Sequence, residues 1–218
     1  MGAGMDDAKF GEDELVPIVR LGRERPDLDY KGPGDWGDWS RAQKAELLRD
    51  MIAFANGDTP GYVVIGATDD AGVVKDYVGL TETEAQSFDP SKIADMMKRY
   101  ADPEVPFDLY KPAVDGKTYV VIRVPPFSTV PHICRESCGE VLQEAAIYVR
   151  GEGARTIKVP SAQHMRRMVD RATQVNADSL VERIRRLVSV APPKEAEPKS
   201  RFEDQIARIR RKVEGEGA

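Results

Sequence analysis

Three acids and a lysine stand where a phosphodiester-cleaving site would need them. Glu24 and Asp29 are five positions apart at the entrance of a short segment, Lys31 follows Asp29 by two, and Asp69 closes a later apolar run. Side chains alternate along a strand, so Leu28 and Tyr30 share one face while Asp29 and Lys31 share the other. Two or three carboxylates can hold Mg or Mn, which activates water, and a lysine neutralises charge developing at phosphorus. Glu24, Asp29, Lys31 and Asp69 are therefore the candidate catalytic residues, with Glu24, Asp29 and Asp69 as the metal ligands. An ordinary surface ion pair between Asp29 and Lys31, beside an unremarkable Glu24, satisfies the same pattern.

The elements that must position these groups are centred on Met51 to Asp69. Ala45, Leu48, Ile52 and Ala55 recur at helical spacing, which predicts a helix from about Ser40, its N-cap. Asn56-Gly57 is expected to supply a left-handed residue that stops it, and Pro60-Gly61 turns the chain into the apolar strand Tyr62 to Ile65. Upstream, Leu15 to Leu21 reads as a short helix or a lead-in strand. In the loop from 32 to 39, Trp36 and Trp39 are either half-buried or free to stack on a ligand.

Downstream, Asp70-Ala71-Gly72 reads as a hairpin turn, and Asp89-Pro90-Ser91 starts a helix to about Tyr100 that buries Ile93, Met96 and Met97. Pro106 to Tyr110 and Tyr119 to Val124 read as strands joined around Asp115-Gly116, with Val120 to Ile122 interior. Ile147 to Arg150 is a further strand. The sum is an α/β (α+β) chain, a mixed β-sheet flanked by helices.

The order of Ala53-Phe54-Ala55-Asn56, the strand from Gly61 to Gly66, Asp69, and Val74 through Val78-Gly79-Leu80 resembles the Schlafen AlbA-like domain. Asp115-Gly116-Lys117, Val124-Pro125, Pro131-His132, and Tyr148-Val149-Arg150 to Thr156 extend the resemblance. It implies a single lobe over residues 20–172, after a lead-in at 1–19 and before a helical extension at 173–190. A linker at 191–200 and a basic amphipathic helix at 201–218 complete the reading. In Schlafen ribonucleases the matching acids are catalytic, which implies roles for Glu24, Asp29 and Asp69, with Tyr30-Lys31 matching the Phe-Lys that follows them. Asp29 replaces the usual Glu, one methylene shorter. The resemblance implies a metal-dependent endoribonuclease on structured RNA such as tRNA, in defence or stress response. The alternative is a non-catalytic nucleic-acid-binding or ATP-binding regulatory module.

Charge is divided unevenly. Residues 155–218 hold 15 Lys and Arg against 9 Asp and Glu, whereas residues 1–154 hold 17 against 28. A basic segment on an acidic body can approach phosphate locally, and it can equally be a solvated helix surface. Arg150, Arg155, Arg166, Arg167 and Arg171 are the candidate nucleic-acid contacts, with RNA favoured over DNA. His132, Cys134 and Cys138 lie in one loop, with His164 a conceivable fourth zinc ligand, but the absence of a second Cys pair argues against structural zinc. With two cysteines and no long apolar run, the chain is expected to be cytoplasmic, without a membrane span. Helices from Ser161 to Val190 carry apolar stripes beside arginines, so they either form a homodimer interface or pack back on their own sheet.

Overall fold

The computed structural model describes residues 12–190. The expected linker and basic helix at 191–200 and 201–218 lie outside them. Helix α1 (Glu12–Val19) buries Leu15 and Val19, which settles the open choice over this segment. Strand β1 (Leu28–Lys31) sends Leu28 and Tyr30 to the same side as α1 and turns Asp29 and Lys31 to the opposite side.

Helix α2 (Arg41–Ala55) begins at Ser40, whose side chain accepts from the Gln43 amide while the Gln43 side chain accepts from the Ser40 amide. That reciprocal cap satisfies two otherwise orphan donors. The other end differs from expectation, because Asn56 is right-handed at φ −84°. Its buried side chain instead donates to the carbonyls of His132 (2.8 Å) and Tyr148 (3.0 Å) and accepts from the His132 amide (2.8 Å). A side chain that ties three distant backbone groups gains more here than a left-handed turn would offer.

Strand β2 (Gly61–Ile65) runs parallel to β1, pairing Asp29 with Val63 and Lys31 with Ile65. Gly61 is required by contact: a Cβ there would lie 2.2 Å from the ring of Phe54 on α2. After Gly66 the chain forms a hairpin from β3 (Thr68–Asp70) and β4 (Val73–Asp76), whose turn places Ala71 and Gly72 at positive φ. Helices α3 (Glu82–Ser87) and α4 (Pro90–Tyr100) follow; Asp89 caps α4, which buries Ile93, Met97 and Tyr100. Trp36 and Trp39 pack on Phe88, at 5.8 Å and 5.3 Å between ring centroids, and are buried core rather than stacking platforms.

Short strand β5 (Ala101–Asp102) precedes β6 (Asp108–Tyr110). The Asp115-Gly116 turn joins a small hairpin of β7 (Ala113–Val114) and β8 (Lys117–Thr118), and β9 (Val120–Val124) then returns between β2 and β6. The main sheet therefore has the order β1-β2-β9-β6, mixed in direction. Its alternation builds two cores. Val63, Ile65, Val120 and Ile122 face α2 and α4, and Val64 and Val121 face α1. Each such side chain contributes about 1.5–3 kcal/mol when fully buried.

Strand β10 (Ile133–Cys134) pairs with β5, while β11 (Tyr148–Arg150) pairs with β12 (Thr156–Lys158) against α2. One helix, α5 (Ala162–Val190), replaces the two expected, since residues 173–179 contain neither Gly nor Pro to interrupt it. The chain divides into two units between Thr173 and Gln174. In the second, Leu180, Val181 and Ile184 are exposed.

Candidate acidic cleft

Strand β1 holds Asp29 and Lys31 side by side beneath α2. Lys31 Nζ donates to Asp29 Oδ2 at 2.8 Å and to Asp50 Oδ2 at 2.7 Å. Asp50, on α2, is 3% exposed and was not among the expected site residues. Thr156 donates to its other oxygen at 2.7 Å. From β11, Arg150 donates to Asp29 Oδ1 at 3.3 Å and to Thr156 at 3.0 Å, with its guanidinium 4.7 Å from the Phe54 ring centroid. Burial pulls the Lys31 amine down, but Asp50 and Asp29 outweigh it and hold it above its ordinary range. The same pairing keeps Asp50 below the usual carboxylate range despite the opposing cost of its burial.

Glu24 and Asp69 reach the cleft from elsewhere. The Glu24 amide donates to the Gly72 carbonyl at 2.7 Å, and the Val74 amide to the Gly22 carbonyl at 2.9 Å, so the β3–β4 hairpin is stitched to the segment bearing Glu24. Asp69 is exposed and accepts from the Gly72 amide at 3.1 Å. Burial, then the charges of Asp29 and Asp69, push Glu24 up to about 7, against a smaller opposing effect of Arg150. Together with Arg49 and Arg155 these groups line one cleft of about 420 Å³.

The four catalytic candidates, Glu24, Asp29, Lys31 and Asp69, thus line a common cleft. As metal ligands they are less complete. Carboxylate oxygens suit Mg or Mn. Yet among the described residues no three His, Cys, Asp or Glu side chains are grouped to hold one ion, and Asp29 has one oxygen on Lys31 and the other on Arg150. The placement does not fit a metal, although the donor type does.

The five arginines separate. Arg150 is a buried pairing partner, with 5% of its side chain exposed, and Arg155 is exposed at the acidic cleft. Arg166 lines neither this cleft nor the cavity beside it, which Arg167 and Arg171 line. Arg171 lies over Phe127, 4.0 Å from the ring centroid, and donates to the Gly57 carbonyl. Of the zinc candidates, Cys134 and Cys138 are buried, His132 Nδ1 lies 2.7 Å from the Pro103 carbonyl, and His164 sits on α5 with Nδ1 3.2 Å from the Ser161 hydroxyl.

Asp50 left a signal in the sequence: an acid set among Leu47, Leu48 and the apolar Met51 to Ala55 needs a cation to pair with where the helix is buried. Thr156 left none beyond its place in the Tyr148 to Thr156 pattern.

The mixed sheet and its acidic cleft define an α/β domain in which carboxylates and cations from β1, α2 and β11 are paired. The family described as Schlafen, AlbA_2 matches residues 24–158, and the chain belongs to it. No curated protein matches the chain. Among solved structures, the DIP2311 protein from Corynebacterium diphtheriae is similar at 14% identity, over 70% of this chain and 26% of that one, with a TM-score of 0.44. The N-terminal domain of a RecG-related protein from Nitrosomonas europaea is similar at 23% identity, over 53% of this chain and 73% of that one, with a TM-score of 0.34. This chain spans about a quarter of the length of the first, 26%.

Proposed function

We propose that the domain binds RNA in preference to DNA and cleaves its backbone at the acidic cleft, acting as an endoribonuclease on structured RNA such as tRNA. The observation that carries this reading is the convergence of Glu24, Asp29 and Asp69 on one cleft that also holds Lys31, Arg150 and Arg155. With its carboxyl near 7, Glu24 can accept a proton from an attacking oxygen at neutral pH. As that oxygen bonds to phosphorus, the bond from phosphorus to the departing sugar oxygen breaks, and that oxygen takes a proton from solvent. Lys31 is committed to two aspartates, so among the described residues of the cleft the exposed Arg155 is placed to meet the phosphate.

Dependence on Mg or Mn belongs to the proposal only with a rearrangement, in which Asp29 releases Lys31 or Arg150. Purified protein incubated with total tRNA, with Mn or Mg and separately with EDTA, tests the reading. Specific fragments are expected. Their absence, or cleavage unchanged in Asp69→Ala, removes the catalytic claim.

The saturation of Asp29 and Asp50 by Lys31, Arg150 and Thr156 favours a second reading, a non-catalytic nucleic-acid-binding or ATP-binding regulatory module. Binding that falls steeply with salt and needs no divalent ion would support it, and a melting-temperature rise with ATP would support the nucleotide version. The exposed Leu180, Val181 and Ile184 support a homodimer through α5. Light scattering at twice 24.2 kDa is expected, and a monomer mass rejects it.

A further inference from the structure

Arg150 is also a wall of a second, larger cavity of about 590 Å³. Its charged lining is Arg25, Arg150, Arg167 and Arg171 against Asp27 and Asp58, and His164 lines it beside them. The arginines are not equivalent. Arg150 is held by Asp29, and Arg171 by Phe127, the Gly57 carbonyl and Asp58 at 3.3 Å, so both are fixed parts of the wall. Arg167 is exposed near the start of α5, and Arg25, with 50% of its side chain exposed, pairs with Asp27 at 3.0 Å. Surface pairs of that kind are weak and exchange readily for a phosphate.

We infer that this cavity holds a single unpaired nucleotide adjoining the phosphodiester in the acidic cleft, with Arg25, Arg167 and His164 gripping its phosphate. The inference rests on the nucleic-acid reading above and names its substrate class: a strand with unpaired nucleotides across the Arg150 wall. Its volume lies in the range of about 300–1,000 Å³ that takes one small ligand. An intact duplex cannot place one nucleotide there without unpairing it.

Fluorescence anisotropy with a short labelled RNA single strand and the blunt duplex of the same sequence, both in EDTA, tests this. The single strand is expected to bind about tenfold or more tighter. Removing both cations in Arg25→Ala/Arg167→Ala should weaken single-strand binding and lower the slope of log affinity against log salt by about 1.4, or about 0.7 for either single variant. The melting temperature should not change. Lys92→Ala, which removes an exposed charge from α4, controls for bulk charge and should leave both readouts alone. Equal binding of duplex and strand, or equal losses in Lys92→Ala and the double variant, overturns the inference. Binding is read without cleavage, so a protein that never cuts RNA can still meet this test, and one that does can fail it.

Discussion

The two cavities that share Arg150 use the same charged residue types in opposite ways. In the acidic cleft, the buried Asp29 and Asp50 and the half-buried Lys31 and Arg150 spend their charges on one another. In the larger cavity, Arg25 and Arg167 keep theirs near solvent. Pairing inside the protein makes a charge structural, because its partner cannot be removed without stranding it. Exposure leaves a charge available to a ligand while contributing little to the fold.

The sharpest break of this contrast is Asp50→Ala, which takes from Lys31 one of its two carboxylates and from the Thr156 hydroxyl its acceptor. It should lower stability by about 3–5 kcal/mol, read by denaturant unfolding, whereas Arg167→Ala should stay within about 0.5 kcal/mol of wild type. Similar losses in both variants would erase the distinction. The next effect is catalytic: Glu24→Gln should slow RNA cleavage by about 10²-fold or more if its carboxyl moves the proton.

A smaller effect concerns pH. The ordinary carboxyl value of 4.5 is raised to about 7 in the folded protein, so between these values the folded state binds more protons than the unfolded one. Without divalent ions, stability should therefore fall as pH rises through that window and level off above it. Glu24→Gln should flatten this slope, and an unchanged slope would assign it to other groups. The smallest effect is Arg155→Ala, which should leave stability unaltered and lower the salt slope for single-stranded RNA by about 0.7.

Much of the fold was legible because local rules and tertiary packing agreed. The alternation in β1 placed Asp29 and Lys31 on the face they occupy, and the Ser40 cap, the Asp89 cap and both hairpin turns lie where their residue types require. The end of α2 departs from its turn-like sequence because the Asn56 amide serves a long-range bridge that no local pattern encodes. Within the site, Glu24, Asp29 and Asp69 are legible in the sequence, whereas Asp50 and the pairing partners are not. Arg150 looked like a phosphate contact until the fold brought it from a distant strand onto Asp29. Asp50 sits in a helix whose period speaks only of burial. Spacing reports which residues share an element, whereas charge pairing between elements depends on how those elements meet.

The absent side chain at Gly61 has reach beyond its own strand. Phe54 occupies the space a methyl group would fill, and the Phe54 ring in turn bears the Arg150 guanidinium. The partition between the two cavities is thus shimmed from behind by a single hydrogen atom. A residue that lines neither cavity then governs the clearance on both sides of the partition, and Gly61→Ala, by displacing Phe54, should lower stability and loosen how a strand seats.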